Sequence, residues 1–223
     1  MIFPSIFDRF EWLAALRGAP AVYLVLLTAV LVILIWDWRF ALLALAGQYL
    51  FAGAIFVELL DPRLATVKFL TGWFICLILY FTGRQVAWGR AEPAAESSLA
   101  LGPLQMPRSW PVRAIIAVLI LLVALLLAQW PPAAIPAISE PFAYANLAAY
   151  ALIGLGLLGF LAQPDPFPAG MGLLLALSGF ELIYSSSNQD AAMLTLLAAA
   201  NFVIAVVMAY LVQHRHYPYL QTE

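Results

Sequence analysis

Apolar stretches and short polar breaks alternate along the whole chain. A bilayer-spanning helix needs about 20 predominantly apolar residues. Seven stretches meet or approach that length: Pro20–Trp36, Phe40–Leu60, Leu64–Thr82, Val112–Trp130, Phe142–Ala162, Ala169–Tyr184 and Ala191–Val212. They predict an all-α, polytopic transmembrane helical bundle of about seven spans. The first and sixth are short, so their helices are expected to run into the flanking polar turns. Trp36, Trp38, Trp88, Trp110 and Trp130 fall near predicted ends, where the headgroup region suits an amphipathic ring. Trp130-Pro131-Pro132 makes a sharp stop, and Pro136 and Pro141 keep the following loop non-helical.

The polar breaks divide the chain further. Residues 1–18 carry Asp8, Arg9, Glu11 and Arg17 among Ile2, Phe3, Ile6, Phe7, Phe10, Trp12, Leu13 and Leu16. That pattern predicts an amphipathic segment lying in the membrane interface. A three-helix unit follows over 19–82. Residues 83–111 are rich in Ala, Glu, Ser, Gly, Pro and Arg with no apolar period, and read as a surface linker. A connecting span over 112–130, a second three-helix unit over 141–213 and a tail over 214–223 complete the chain. Ser185 to Asp190 reads as the turn between the sixth and seventh spans.

Composition agrees with the membrane assignment. Hydrophobic residues make up 65% of the 223 residues and charged residues only 10%, against roughly 25% charged in soluble domains. The mean hydropathy is +0.97. Net charge is -2 without a basic cluster, which argues against nucleic acid as a partner. The lone cysteine, Cys76, forms no internal disulfide. The two histidines, His214 and His216, both lie near the C-terminal end, so no metal or other cofactor is expected. There is no Gly-rich phosphate loop, no HExxH and no Ser/His/Asp constellation, so catalysis by this chain alone is not expected. The first long apolar run starts near Ala19 without a convincing cleavage pattern and reads as a retained span.

Lys and Arg bias sets orientation. With seven spans, Arg9, Arg17 and Arg63 fall on one side. Arg39, Arg84, Arg90, Arg108, Arg113 and Arg215 fall on the other. This places the linker and the C-terminus in the cytoplasm and the N-terminus outside.

Two segments resemble each other. Leu42–Leu50 reads LLALAGQYL and Leu174–Leu182 reads LLALSGFEL, identical at six of nine positions. Both sit in the second helix of a three-helix group. Lys68-Phe69 and Asn201-Phe202 mark similar places in the third helices. Leu and Ala dominate the composition, so chance competes with duplication. A real duplication gives a 3+1+3 repeat, with halves running in parallel senses if Val112–Trp130 is a span. Such repeats often place functional groups at their interface near the midplane.

Few polar side chains fall inside the spans, and each has a functional and a structural reading. Glu181 follows ten residues of apolar sequence. A charged group near the bilayer centre costs about 2.5–3.5 kcal/mol on insertion scales. Functionally it is a protonatable carboxyl in a proton path; structurally it bonds a neighbouring helix or a partner subunit. Lys68 lies about one turn into its span. It either switches charge within the membrane or snorkels to the interface along its long stem. Glu58 and Asp61 read as solvated helix ends, with a Glu58–Lys68 pair across the turn as the alternative. Gln48 and Asn201 read as buried amides bonding between helices. Asp190 suits the N-cap of the last helix. Gly47, Gly53, Gly154, Gly156, Gly159 and Gly179 offer small surfaces for close helix contact. The candidate proton path is therefore Glu181, Lys68, Asn201 and Glu58.

Gly179-Phe180-Glu181-Leu182, in the second helix of a three-helix unit, resembles the K-type membrane subunit of respiratory complex I (NADH-quinone oxidoreductase subunit K). The ending AANFVIAVVMAYLVQHRH is similar to that family's third helix and basic tail. The longer chain looks more like the E component of hydrogenase-4-type complexes. That component joins a complex-I-like three-helix unit to a further N-terminal half. Arg39–Leu60 and Lys68–Thr82 match its Arg-initiated helix and its lysine-bearing helix. The resemblance implies that Glu181, and with it Lys68, belongs to a proton-conducting polar axis. Where the complex I subunit carries a second glutamate on its third helix, this sequence offers Asn201. An amide relays protons through water but holds none at neutral pH.

The expectation is a non-catalytic integral subunit of a complex-I-like or hydrogenase-linked assembly that contributes to proton or cation translocation. Its partners would be antiporter-like and redox membrane subunits, in the lipid bilayer of the cytoplasmic (inner) membrane that the resemblance implies. A purely structural subunit and a free-standing small transporter are the alternatives.

Overall fold

The computed structural model describes residues 18–35, 37–59, 62–88, 110–131, 135, 144–187 and 190–220. Residues 1–17 of the expected amphipathic segment, 89–109 of the expected 83–111 linker, Trp36, Asp61, Pro132, Pro136, Pro141 and Asn188-Gln189 lie outside the described residues. Gly83 to Gln85 and Trp110-Pro111, expected in the linker, are helical instead. Seven α-helices, and no strand, form among those described: α1 Ala19–Leu34, α2 Trp38–Leu59, α3 Pro62–Gln85, α4 Trp110–Gln129, α5 Tyr144–Leu161, α6 Pro166–Ser187 and α7 Ala191–Leu220. Helix is the physical answer to an apolar stretch in lipid, because it bonds every backbone polar group within the segment. Six of the seven are long and apolar enough to cross a membrane. The exception, α1, has 16 residues, about 24 Å at 1.5 Å per residue. It nevertheless lies along almost all of α5. Gly18, before its first turn, lies against Tyr144, and Ile33, near its last, lies against Gly159. The chain is a multi-pass membrane protein.

The order of packing explains where the polar groups meet. Helices α1, α2 and α3 contact one another in sequence, as do α5, α6 and α7. Each helix of the first unit also packs against its counterpart in the second: α1 on α5, α2 on α6 and α3 on α7. Paired helices run in the same sense. Trp38 and Phe167, near the starts of α2 and α6, meet edge to face at 6.1 Å. Gln85 and Gln213, towards the far ends of α3 and α7, share a 3.0 Å hydrogen bond. The odd helix, α4, packs mainly on α5 with Ala117 and Ala124 buried, while Val118, Leu122 and Leu126 face outward. A soluble protein rarely shows so much contiguous apolar surface; lipid accounts for it.

Helix ends follow local chemistry rather than apolarity. Helix α6 begins at Pro166, three residues before the apolar stretch, because Asp165 caps it: its Oδ1 accepts from Phe167 N at 2.9 Å. Ser185, Ser186 and Ser187, expected in a turn, remain helical. Their hydroxyls donate back to the carbonyls of Leu182 and Ile183. Asp190 caps α7 as its sequence position suggested, accepting from Ala192 N at 3.1 Å. Helix α3 closes in a Schellman arrangement, with Trp88 N donating to Gly83 O and Ala87 N to Arg84 O. Ala87 takes the left-handed conformation there, at φ 49°. This turn delivers the Trp88 indole to Asp165 (3.3 Å) and stacks it on Phe167 (5.3 Å).

One buried amide departs from expectation. Gln48 is 0% exposed, yet neither its nitrogen nor its oxygen has a hydrogen-bond partner among the described residues. An unpaired buried polar group costs about 1–3 kcal/mol. Gln48→Leu, which removes the amide at similar volume, is expected to raise stability by that order. The thermal unfolding midpoint of the detergent-solubilised chain would show it, and a lowered midpoint would mean that Gln48 has a partner in the membrane.

Candidate functional site

Lys68, Glu181 and Asn201 come together where the two three-helix units meet. Lys68 Nζ donates to Glu181 Oε1 in a direct ion pair between α3 and α6. The side chains are only 7% and 4% exposed. From α7, Asn201 Nδ2 donates to the same oxygen at 2.8 Å. The snorkelling reading of Lys68 therefore gives way: its ammonium turns inward, to a carboxylate 113 residues away in sequence. Counted at 1.5 Å per residue, Glu181 lies about 9 Å from the α6 end and Lys68 about 9 Å from the α3 start. Asn201 lies about 15 Å into α7. The site thus lies within about the first third of α3 and α7 and the last third of α6.

Glu58 does not join this group. Its Oε1 accepts from Gly18 N at 3.1 Å and its Oε2 from the Tyr144 hydroxyl. It therefore ties the start of α1 and the start of α5 to the end of α2. The Glu58–Lys68 pair suggested by their closeness in sequence does not form. Gly18 makes the contact with φ at 71°, a left-handed conformation that glycine adopts without a Cβ clash.

Two further polar residues, absent from the sequence-based set, face the ion pair. Tyr49 on α2 and Ser178 on α6 line the same small cavity as Lys68, Glu181 and Asn201. The Tyr49 ring occupies a seat left by Gly72 on α3: a Cβ there would come within 2.4 Å of the ring. The Tyr49 hydroxyl lies near Ser178 without reaching hydrogen-bonding geometry. It is buried and has no partner among the described residues. Ser178 donates instead to Leu174 O at 2.9 Å.

A signal for Tyr49 was present in the sequence. In the aligned segments LLALAGQYL and LLALSGFEL, Tyr49 falls opposite Glu181. Lys68 and Asn201 likewise mark corresponding places in α3 and α7. The central polar groups are thus two pairs of matching positions, one member of each pair from either unit.

The cavity measures about 10 Å³, close to the least space that holds one water. Both bonds to the Glu181 carboxylate use Oε1, and Oε2 accepts none from the described residues. Chemically, the arrangement holds a carboxylate against an ammonium in an apolar surrounding, with one oxygen left to exchange a proton. No protein-family model matches the chain, and no curated protein or solved structure matches it.

Proposed function

We propose that this chain is a non-catalytic membrane subunit that passes protons, or an equivalent cation, through the Lys68–Glu181 pair, in an assembly whose redox chemistry lies in partner subunits. The carrying observation is the buried ion pair with one carboxylate oxygen unbonded beside a water-sized space. A buried pair is weak evidence for stability, because desolvation offsets most of the attraction. Ionisable groups kept inside spans commonly mark ion pathways. A proton arriving on Glu181 cancels the charge that holds the Lys68 ammonium, so occupancy of one group biases the other. The resemblance to complex I K-type and hydrogenase-4 component E subunits supports a redox-linked assembly. The Arg bias supports a cytoplasmic membrane with the N-terminus outside.

The test begins with capture of the native assembly on this chain and identification of its redox partner. Proton uptake by native vesicles, driven by that partner's electron donor, is then compared between wild type and Glu181→Gln. Loss of uptake with the assembly intact is the expected result. Unchanged uptake, or a chain captured without any redox subunit, would overturn the proposal.

One observation favours a second reading. The Lys68 and Asn201 bonds converge on α6 from α3 and α7 and so join the two units. A structural subunit predicts that Glu181→Gln disperses the assembly without a selective loss of transport.

A further inference from the structure

We infer that the cavity beside the ion pair binds one water between the Tyr49 hydroxyl and Glu181 Oε2, and that Tyr49 is a positioning residue for proton delivery to Glu181. The inference rests on the proton-carrying role proposed above for Glu181. It deepens that role by naming what holds the proton donor in place.

Three independent features converge on Tyr49. Its hydroxyl is buried and lacks a partner among the described residues, and a buried hydroxyl left unpaired is costly. The ring is fixed: Gly72 leaves it a seat that any Cβ would fill, at 2.4 Å from the nearest ring atom. The remaining space in the shared cavity is about 10 Å³, enough for one water and too little for a solute. The neighbouring polar atoms suit that water. Tyr49 supplies a donor and Glu181 Oε2 an acceptor, and Lys68 Nζ and Asn201 Nδ2 each spend one of their N–H groups on Oε1. The water accepts from the Tyr49 hydroxyl and donates to Oε2.

Proton uptake then balances simply. An excess proton from the aqueous phase reaches this water. One O–H bond of the resulting hydronium breaks as Oε2–H forms, leaving a neutral water and a neutral carboxyl. Tyr49 keeps its own proton throughout. Its part is to hold the water in line with Oε2: the hydroxyl donates to the neutral water and turns to accept from the hydronium, and a phenylalanine ring in the same seat can do neither.

Tyr49→Phe keeps the ring and removes only the hydroxyl. In the vesicle assay, proton uptake near neutral pH should fall several-fold, up to about ten-fold, the worth of one neutral hydrogen bond. Uptake should recover towards wild type as the pH falls and proton supply rises. A merely structural role would lower uptake equally at every pH. Normal uptake in Tyr49→Phe, with Glu181→Gln inactive, overturns this inference and leaves the proton role of Glu181 standing. Full uptake in Glu181→Gln overturns both.

A second measurement does not depend on how well Tyr49→Phe assembles. In pH-jump infrared difference spectra of the wild-type assembly, a sharp water O–H band should appear and shift in H2(18)O. Its absence from the wild type overturns the water site.

Discussion

Glu181→Leu, with Lys68 left in place, is expected to destabilise the folded chain by about 3–5 kcal/mol, and adding Lys68→Met should restore most of that loss. The single change leaves an ammonium, 7% exposed, without its counter-charge. It also takes the acceptor from Asn201 Nδ2. The double change removes both charges and fills the site with apolar side chains of similar size. Replacing a buried pair in this way is often neutral or stabilising. Chemical unfolding of the four chains in bicelles, read as a double-mutant cycle, checks the expectation. A harmless Glu181→Leu would mean that Lys68 is uncharged or reaches the interface in the membrane. The same set separates two properties that one mutant would confuse. On the proposed function, the double variant folds but carries no protons, because no carboxyl remains to load.

Much of this architecture could be read from the sequence, because in lipid an apolar run and a helix are nearly the same statement. The seven stretches became α1 to α7. The residues that moved were those whose local hydrogen bonds outweigh apolarity. Pro166 and Phe167 join α6 through the Asp165 cap, and the three serines stay helical through their own carbonyl bonds. Glu181 stood out because a carboxylate amid apolar residues is costly wherever it packs. Its partner could not be read from the pattern. Lys68 lies 113 residues away, and the period of one helix says nothing about which distant helix it meets. Proximity along the chain pointed instead to Glu58. That residue faces Gly18 and Tyr144 because α1 and α5 begin at the level where α2 ends.

The likeness of LLALAGQYL to LLALSGFEL carried more information than any single residue. With Val112–Trp130 as a span it implies parallel halves, and α1 packs on α5, α2 on α6 and α3 on α7. It also aligned Tyr49 with Glu181. Tyrosine at an apolar position draws no notice alone, since its ring packs as readily as phenylalanine. Only the facing unit shows that Tyr49 shares a cavity with a charged pair.

Gly172→Val is expected to cost about 3 kcal/mol or more, at or beyond the upper end of overpacking effects, or to prevent accumulation in the membrane altogether. A Cβ at Gly172 would lie 2.4 Å from Phe160 N, 2.6 Å from Gly159 C and 2.8 Å from Gly156 O. All three are backbone atoms, so no rotamer change relieves the contact. Across the same seam, a Cβ at Gly156 would come within 2.2 Å of Ala176 N, and one at Gly179 within 2.8 Å of Ala149 O. Helices α5 and α6 therefore approach backbone to backbone, the packing that small residues permit in membranes. Gly47→Ala is the contrasting change. Its Cβ would meet the Thr28 methyl at 3.3 Å and the Phe51 ring at 3.8 Å, both side chains, and a small loss is expected. Membrane abundance and the thermal midpoint of the solubilised chains would distinguish the two, and a normal Gly172→Val chain would mean that the seam is looser than these distances. The consequence reaches the polar site even though α5 contributes no group to it. Gly179 lies two residues before Glu181 on α6, so the seam sets the height and rotation at which the carboxylate meets Lys68. Gly172→Ala brings the same Cβ without the two methyls of valine, and in whatever fraction of that chain folds, proton uptake should be impaired.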